Sequence, residues 1–346
     1  MKVAFVKDRM STGRGADRAV GLLMNGLAER GYDMALVTLQ EESTPFSVPI
    51  DRRIRIRRVA AADVAAVADG ADVIVSTGTN EILLLAGATK PIVQQFHVHP
   101  ATCFKWRHPW RNRTIRRALA RAAAVQVLLP GHVAALPSGL RARTVVIGNA
   151  PTVLPRESGL PTSERMVAYP AALTKSKNQE LLMRAFATLA QDFPGWTLEL
   201  YGVGAAAETR RLNRLVATLE QHTPELQDRI RFMGYRDLHE VYARCAFLAF
   251  PSRSEGFGLA IMEAAAFGKP AIGLADAPGV NELILDGQTG LLVQSTATAF
   301  ADGLRQLMSN EKTVRELGDG ARTFCRSRYT PERIIDSWEQ LLKRFQ

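Results

Sequence analysis

This 346-residue sequence predicts two doubly wound α/β domains, each built on a parallel sheet. Three observations carry that expectation. Short β-branched apolar runs alternate with helical segments, the pattern of parallel strands buried on both faces. The alternation begins afresh after TVLPRESGLPTSER, residues 152–165, which has the Pro, Gly and Ser content of a linker. The length suits two domains of ordinary size, each with its own core.

The first series opens with KVAFV (residues 2–6) as a strand and ADRAVGLLMNGLAERG (16–31) as an amphipathic helix closed by Gly31. DMALVTL (33–39), ADVIVST (71–77), KPIVQQFH (90–97) and AVQVLL (124–129) read as further strands, and TVVIGNAP (144–151) ends this half. The second series starts at MVAYPAAL (166–173), a strand, followed by the helix KNQELLMRAFATLAQDFPG with its stop. The strands WTLELYGVG (196–204) and IRFMGY (230–235), the helix DLHEVYARC and the strand AFLAFPS (246–252) come next, then PAIGLADAPGVNELI and GLLV. PERIIDSWEQLLKRF closes the sequence with Ile334, Ile335, Trp338, Leu341, Leu342 and Phe345 at helical spacing. The expected domains are therefore 1–150 and 151–329, facing a shared cleft, with ligands at the C-terminal ends of the strands.

Composition narrows the function classes. A hydrophobic fraction of 47% suits a folded soluble protein, and the apolar runs are far shorter than the roughly 20 residues of a membrane span. Met1 leads straight into a buried strand rather than a signal peptide. Three scattered cysteines, Cys103, Cys245 and Cys325, fit reduced thiols in a cytoplasmic protein better than a zinc site or a disulfide framework. The charge is lopsided: residues 1–150 hold 21 Lys and Arg against 11 Asp and Glu, whereas the remainder is neutral. From Ile82 to Arg156 there are 11 basic residues and no acidic one. Seven of them lie in KWRHPWRNRTIRRALAR (105–121), with Trp106 and Trp110 interleaved. A solvated helix face normally mixes both signs. A single sign with tryptophans points to an anionic partner at Lys105, Arg107, Arg113, Arg116 and Arg117: a lipid surface, a phosphorylated glycan or nucleic acid.

The chemistry concentrates in SRSEGFGLAIMEAAAFGKP (252–270), where Glu255 and Glu263 stand eight positions apart around a glycine-rich turn that opens into an apolar helix. Such a turn exposes backbone N–H groups, and the helix dipole favours an anion there. The glutamates would contact something neutral and rich in hydroxyls beside that anion, and a nucleotide sugar has those parts in that order. In LTKSKNQELL, Lys175 and Lys177 follow a strand where a pyrophosphate could be neutralised. Gly202 and Gly204 let the chain turn at the next strand end. STGRGADR (11–18) offers Gly13, Arg14 and Gly15 ahead of a helix, either as a plain turn or as a loop that a phosphate can approach. Its third position is Arg18 rather than glycine, and it arrives late after the strand, which argues against a dinucleotide fingerprint and hydride transfer. His97 and His99 fall on one face by alternation. Without a third ligand nearby they do not make a metal site, and His97 could instead donate to a sugar hydroxyl or be structural. No Asp-x-Asp pair occurs in the sequence, so phosphate binding without metal or cofactor is expected.

With these elements in order, the sequence resembles the retaining glycosyltransferases of family 4, of the two-domain, Rossmann-like GT-B fold. The resemblance covers nearly the whole length and is most specific in SEGFGLAIMEAAAFGKPAI, which looks like the family's Glu-x7-Glu motif, followed by APGVNELILDGQTGLLV. GRGADR looks like the Gly-Gly-x-Glu-Arg loop that approaches the donor phosphate, and VVIGNAP like the segment ending the first domain. The resemblance implies that Glu255 bonds hydroxyls of the transferred sugar and Glu263 those of the ribose. It implies that the N–H groups of Phe257, Gly258 and Leu259 meet sugar and diphosphate, that Lys177 neutralises the leaving diphosphate, and that Phe232, Met233 and Gly234 border the base. His97 would face the reacting sugar. The final helix, 330–346, would cross back onto the first domain.

One departure stands out: Ala172 occupies the position, five residues before Lys177, where the family usually has an arginine. Lys175, or Arg14 from the first domain, is the candidate substitute. The implied reaction transfers a hexosyl group from a nucleotide sugar, UDP being the commonest carrier, to an acceptor hydroxyl with retention. Attack would be front-face, and domain closure would exclude water. An anionic glycan or lipid-linked acceptor at the inner face of a membrane, as in lipopolysaccharide core or surface polysaccharide synthesis, suits the basic stretch. The rival readings are an epimerase of the same fold, a nucleic-acid-binding protein that would leave the Glu-x7-Glu segment unexplained, and an inactive scaffold that senses nucleotide sugar.

Overall fold

The computed structural model describes residues 1–104, 109–156 and 163–346. The chain divides into two compact units, Met1–Thr152 with Tyr329–Gln346, and Val153–Arg328.

The first unit is a seven-stranded sheet of β1 (Lys2–Val6), β2 (Asp33–Thr38), β3 (Arg55–Arg58), β4 (Val73–Ser76), β5 (Ile92–Gln95), β6 (Ala124–Val127) and β7 (Thr144–Val146). Every pairing is parallel, in the order β3-β2-β1-β4-β5-β6-β7. Its central strands are buried on both faces, which is why they read as unbroken apolar runs. The strand β3 escaped the sequence reading. It is RIRR, exposed at all but Ile56, a charged sheet edge that discourages further pairing.

The helix Gly15–Glu29 covers one face of this sheet, and Gly31 follows it at φ +86°, a left-handed C-terminal stop that glycine adopts without strain. Against it lies the helix Pro331–Leu342, which starts at a Thr330 cap and Pro331. Ile334, Ile335, Trp338, Leu341 and Leu342 are buried in the same apolar cluster as Phe5, Leu23, Met24 and Leu27. Arg30 adds ion pairs to Asp336 (2.6 Å) and Glu339 (2.5 Å). The C-terminal helix thus belongs to the first unit.

The second unit is a six-stranded parallel sheet of β8 (Met166–Pro170), β9 (Thr197–Tyr201), β10 (Ile230–Gly234), β11 (Phe247–Phe250), β12 (Ala271–Leu274) and β13 (Gly290–Val293). Their order is β10-β9-β8-β11-β12-β13. In each unit the order reverses beside the first strand, between β1 and β4 and between β8 and β11. Loops leaving the two central strands there diverge to opposite sides and open a crevice.

Candidate functional site

The crevice of the second unit gathers the residues that the sequence singled out. After β8 the chain makes a 3-10 turn, Lys175–Lys177, ending at Asn178 with φ +55°. After β11 it runs through Ser252–Gly258 into the helix Leu259–Ala266. The two loops are stitched together by Arg253 N–H to the Ser176 carbonyl (3.0 Å). Tyr169 of β8 adds to this: its hydroxyl donates to the Lys177 carbonyl (2.7 Å) and shares a 2.7 Å hydrogen bond with Ser252. Burial, and then the Glu255 carboxylate, push the Tyr169 phenol well above its ordinary range, so it stays neutral.

This scaffold brings Lys177 to Glu255. The ammonium donates to both carboxylate oxygens, at 2.5 and 2.7 Å, with the two side chains 24% and 11% exposed. A charge pair that is mostly, but not wholly, out of water is strong and still within reach of a ligand. The main chain of Glu255 is fixed from behind: its N–H donates to the Pro278 carbonyl (2.9 Å), and a Cβ on Gly279, at φ +81°, would come within 2.3 Å of the Glu255 carbonyl.

Gly258 precedes the helix Leu259–Ala266 in the left-handed region, φ +57° and ψ +49°, a conformation that favours glycine. Apart from the Ile261 N–H, which donates to the Gly258 carbonyl (2.8 Å), the N–H groups at the start of this helix have no intrahelical acceptor and are available to an anion. Phe257 and Leu259 are buried and anchor the turn. One turn into the helix, Glu263 is fully buried, its Oε2 accepting from the Tyr242 hydroxyl at 2.8 Å.

The remaining second-unit positions are less uniform. Lys175 and Ala172 are both exposed on the loop after β8, and the Ala172 carbonyl accepts from Gln179 Nε2 (2.8 Å). Gly202 and Gly204 allow the β9 and β8 ends to approach each other: Cβ atoms there would meet the Ala171 and Leu173 carbonyls at 2.5 and 2.3 Å. Phe232, Met233 and Gly234 end strand β10, with the register shifting between Phe232 and Gly234, so half-buried Met233 is a bulge residue.

In the first unit, Gly13 takes φ +64°, and Arg14 and Gly15 lead into the helix, Arg14 exposed. His97 and His99 lie beyond β5, which ends at Gln95, so strand alternation does not place them on one face. His99 packs edge-on to His132 (centroids 4.7 Å apart), whereas His97 lies in the field of Lys7 and Asp17. Both ring nitrogens of His97, and both of His132, are buried without a hydrogen-bond partner. Burial, reinforced by Lys7 and opposed by Asp17, lowers His97 to about 3; burial and His99 lower His132 to about 4.

Both rings are therefore neutral when folded, and the unfolded chain, with histidine near 6.5, binds more protons between pH 6.5 and about 4. Stability is full above pH 6.5 and falls as the pH drops through that window, by up to about 1.4 kcal/mol per unit per histidine. The urea midpoint of His132→Leu is expected to fall less steeply with acid than that of the wild type; parallel slopes would remove the histidine from the account.

Arg113, Arg116 and Arg117 lie exposed on the helix Pro109–Ala120, whose opposite side buries Ile115 and Leu119. Trp110 is 79% exposed beside them. Lys105 and Arg107 lie outside the described residues. Three buried groups were missed in sequence: Lys7, Asp17 and Glu81. The available signals were a lysine ending an apolar strand, an acid in the first turn of an apolar helix, and an acid shortly after β4.

Residues 152–324, half of the chain, match the sequence profile of the family described as glycosyl transferases group 1. An exopolysaccharide phosphotransferase of Streptomyces coelicolor is 28% identical over 235 residues, 67% of this chain and 22% of that protein. The N-acetyl-alpha-D-glucosaminyl L-malate synthase of Bacillus anthracis is 30% identical over 192 residues, 55% of this chain and 48% of that protein. The aligned stretches thus span half or less of these relatives. Among solved structures, Anabaena HepE in complex with UDP and glucose superposes with a TM-score of 0.81 over 99% of both chains at 19% identity. That likeness is one of fold: two Rossmann-like, parallel-sheet units of the GT-B type.

Proposed function

We propose, since this chain belongs to the glycosyl transferases of group 1, that it moves a hexosyl group from a nucleotide sugar to an acceptor hydroxyl with retention. The observation that carries the reading is the Lys177–Glu255 pair beside the glycine-capped helix Leu259–Ala266, at the strand-order reversal of the second unit. The helix N-terminus and Lys177 supply positive potential for a diphosphate, and Glu255 supplies acceptors for sugar hydroxyls. Negative charge develops on the diphosphate as the glycosidic bond breaks, so these groups favour the transition state over the bound donor. With a lysine and a helix N-terminus for the phosphates, and no paired Asp-x-Asp carboxylates in the sequence, we assign the diphosphate to protein groups rather than to a metal.

UDP-hexose is the proposed donor, consistent with UDP in the HepE structure. Lys175, Gly202, Met233 and Glu263 remain proposed donor contacts in the second unit, Glu263 for the ribose, and Gly13, Arg14 and Gly15 in the first. Calorimetry with UDP, GDP and ADP, each free and as its glucose conjugate, tests the site. Binding to UDP and its conjugate, lost in Glu263→Ala, supports it; no binding to any of the six sinks it.

The acceptor is proposed to be an anionic glycan or a lipid-linked sugar, as in lipopolysaccharide core or surface polysaccharide synthesis, at the inner face of a membrane. Supporting this are Arg113, Arg116 and Arg117 exposed on one helix, next to Trp110, in a stretch with no acidic residue from Ile82 to Arg156. Among the described residues, no helix is long and apolar enough to cross a membrane. Sedimentation with vesicles of anionic lipid is expected to weaken steeply between 50 and about 500 mM salt, as screening shortens the reach of the charges. Replacing the three arginines by glutamine should reduce it to the level seen with neutral vesicles. Equal binding to neutral and anionic vesicles would remove the membrane from the proposal.

A further inference from the structure

The edge of the second sheet at which β8, β11 and β12 begin carries a cavity of about 260 Å3, at the opposite ends of these strands from the donor crevice. Ser163, Ala246, Gly268, Lys269, Arg315 and Arg322 are among its lining residues. Lys269, just ahead of β12, is 6% exposed, and its ammonium donates to the Ser163 hydroxyl at 2.6 Å. Among the described residues, no carboxylate lies within ion-pair distance of it. A buried charge is ordinarily paired, and this one leans on a neutral hydroxyl. Burial pulls the Lys269 ammonium below the ordinary lysine range, with the Cys245 thiol opposing this and the Arg322 charge reinforcing it.

Arg322 enters the cavity from the helix Glu311–Arg328. Its guanidinium fills the space left by the missing side chain of Gly268, which takes φ +70°: a Cβ there would be 2.1 Å from Nη2. A Cβ on Gly318 of the same helix would be 2.1 Å from the Gly268 carbonyl. These two close approaches press the helix onto residues 267–269 and fix two cations around one cavity. Asp319 stands 3.7 Å from Arg322 Nη1, but its side chain is 77% exposed and screened by water. Arg315 adds a third cation at the rim, 4.0 Å from Glu311, both of them exposed. The positive charge is therefore in surplus.

The donors select the ligand. Lys269 offers an ammonium, Arg322 a planar fork, and Ser163 a hydroxyl whose own proton is free because its oxygen accepts from Lys269. Donors converging from three elements suit a tetrahedral oxyanion, which has acceptor oxygens in several directions. The carbonyl end of the helix Leu259–Ala266 is nearby and would repel an anion, but its acceptors are engaged. Phe267 and Lys269 N–H donate to Ala264, Gly268 N–H to Ala265, and Arg322 Nη2 to Phe267.

We propose that this cavity is a second anion site, separate from the donor site, that takes the phosphate group of free phosphate or of a small phosphomonoester, with Lys269, Ser163 and Arg322 as its ligands. It stands independently of the glycosyltransferase reading, since none of these residues belongs to the donor crevice.

The test is NMR of the full chain with labelled lysine, the Lys269 side-chain resonances being assigned with Lys269→Met. Inorganic phosphate and glycerol 3-phosphate are titrated in separate arms, with sodium chloride at matched ionic strength as the control. At least one of the two is expected to shift Lys269 saturably, and chloride is not; the tighter of the two identifies the source of the phosphate group. Arg322→Gln should weaken that binding at least tenfold, whereas Lys177→Met, in the donor crevice, should leave it in place. Calorimetry with UDP present to fill the donor site should show the binding lost in Lys269→Met and weakened in Ser163→Ala, an exposed position whose substitution leaves the core intact. No saturable shift with either phosphate, the same shift with chloride, or unchanged affinity in Arg322→Gln and Ser163→Ala overturns the proposal. Loss of the Lys269 shift in Lys177→Met would overturn it as well, because the phosphate would then belong to the donor crevice.

Discussion

Lys177→Met is expected to lower turnover about 100- to 1,000-fold, the range seen when one preorganised electrostatic donor is removed from a transition state. Two losses combine. The leaving diphosphate no longer meets a cation as its charge grows, and Glu255, whose side chain is 11% exposed, loses the ammonium that held both its oxygens. Charge on the diphosphate is greater in the transition state than in the bound donor, so most of the loss belongs in kcat rather than in KM. Lys177→Arg keeps the charge but replaces a compact ammonium with a planar fork and should recover only part of the rate. Steady-state kinetics with a UDP-hexose donor would decide. A kcat for Lys177→Met within about threefold of wild type would take Lys177 out of the chemistry.

Ala172→Arg is expected to act in the opposite direction, raising kcat at least tenfold. Ala172 is exposed on the loop that follows β8, five residues before Lys177, so a longer side chain there displaces no core atom. Its carbonyl, tied to Gln179 Nε2, fixes the loop that would carry the guanidinium. A second cation near the diphosphate adds to what Lys177 supplies, and a donor of that kind is worth about 2.7–4 kcal/mol where measured elsewhere. Lys175 stands exposed in the turn that also carries Lys177; the Glu208 carboxyl, held low first by its hydrogen bond from Arg211, also feels the Lys175 charge. If Lys175 already supplies the missing charge, Ala172→Arg leaves kcat unchanged and Lys175→Ala lowers it. Activity unaffected by either substitution would mean that the transition state needs no second cation.

What could be read from the sequence followed local physics. Central strands announced themselves because both faces are buried, and the glycine-rich turn before Leu259 announced itself because its backbone turns left-handed at Gly258. The cationic edge strand β3 did not, since an edge is designed to look unlike a strand interior. The partners of Lys177 and His97 were equally hidden. Lys177 meets a carboxylate 78 positions later, and His97 senses Lys7 and Asp17 from the other end of the unit. Only the strand order brings such residues together, and no local pattern records it. The bulge at Met233, beside Gly234 at φ +64°, was hidden in the same way, because a register shift depends on the neighbouring strand.

The helix Pro331–Leu342 has a consequence for how the chain is made. Its five buried side chains complete the core around Phe5 and Leu27, yet more than 300 residues of synthesis separate the two sets. On the ribosome the second unit, continuous in sequence, has all its strands before the first unit has its last helix. The usual N-terminal-first order is therefore inverted. Until residues 331–342 emerge, the part of the helix Gly15–Glu29 that faces them, Gly26 against Ile335 included, stays uncovered, an exposed surface for a chaperone to shield and for aggregation to exploit. A chain halted just before that helix would release a finished second unit attached to an unfinished first one.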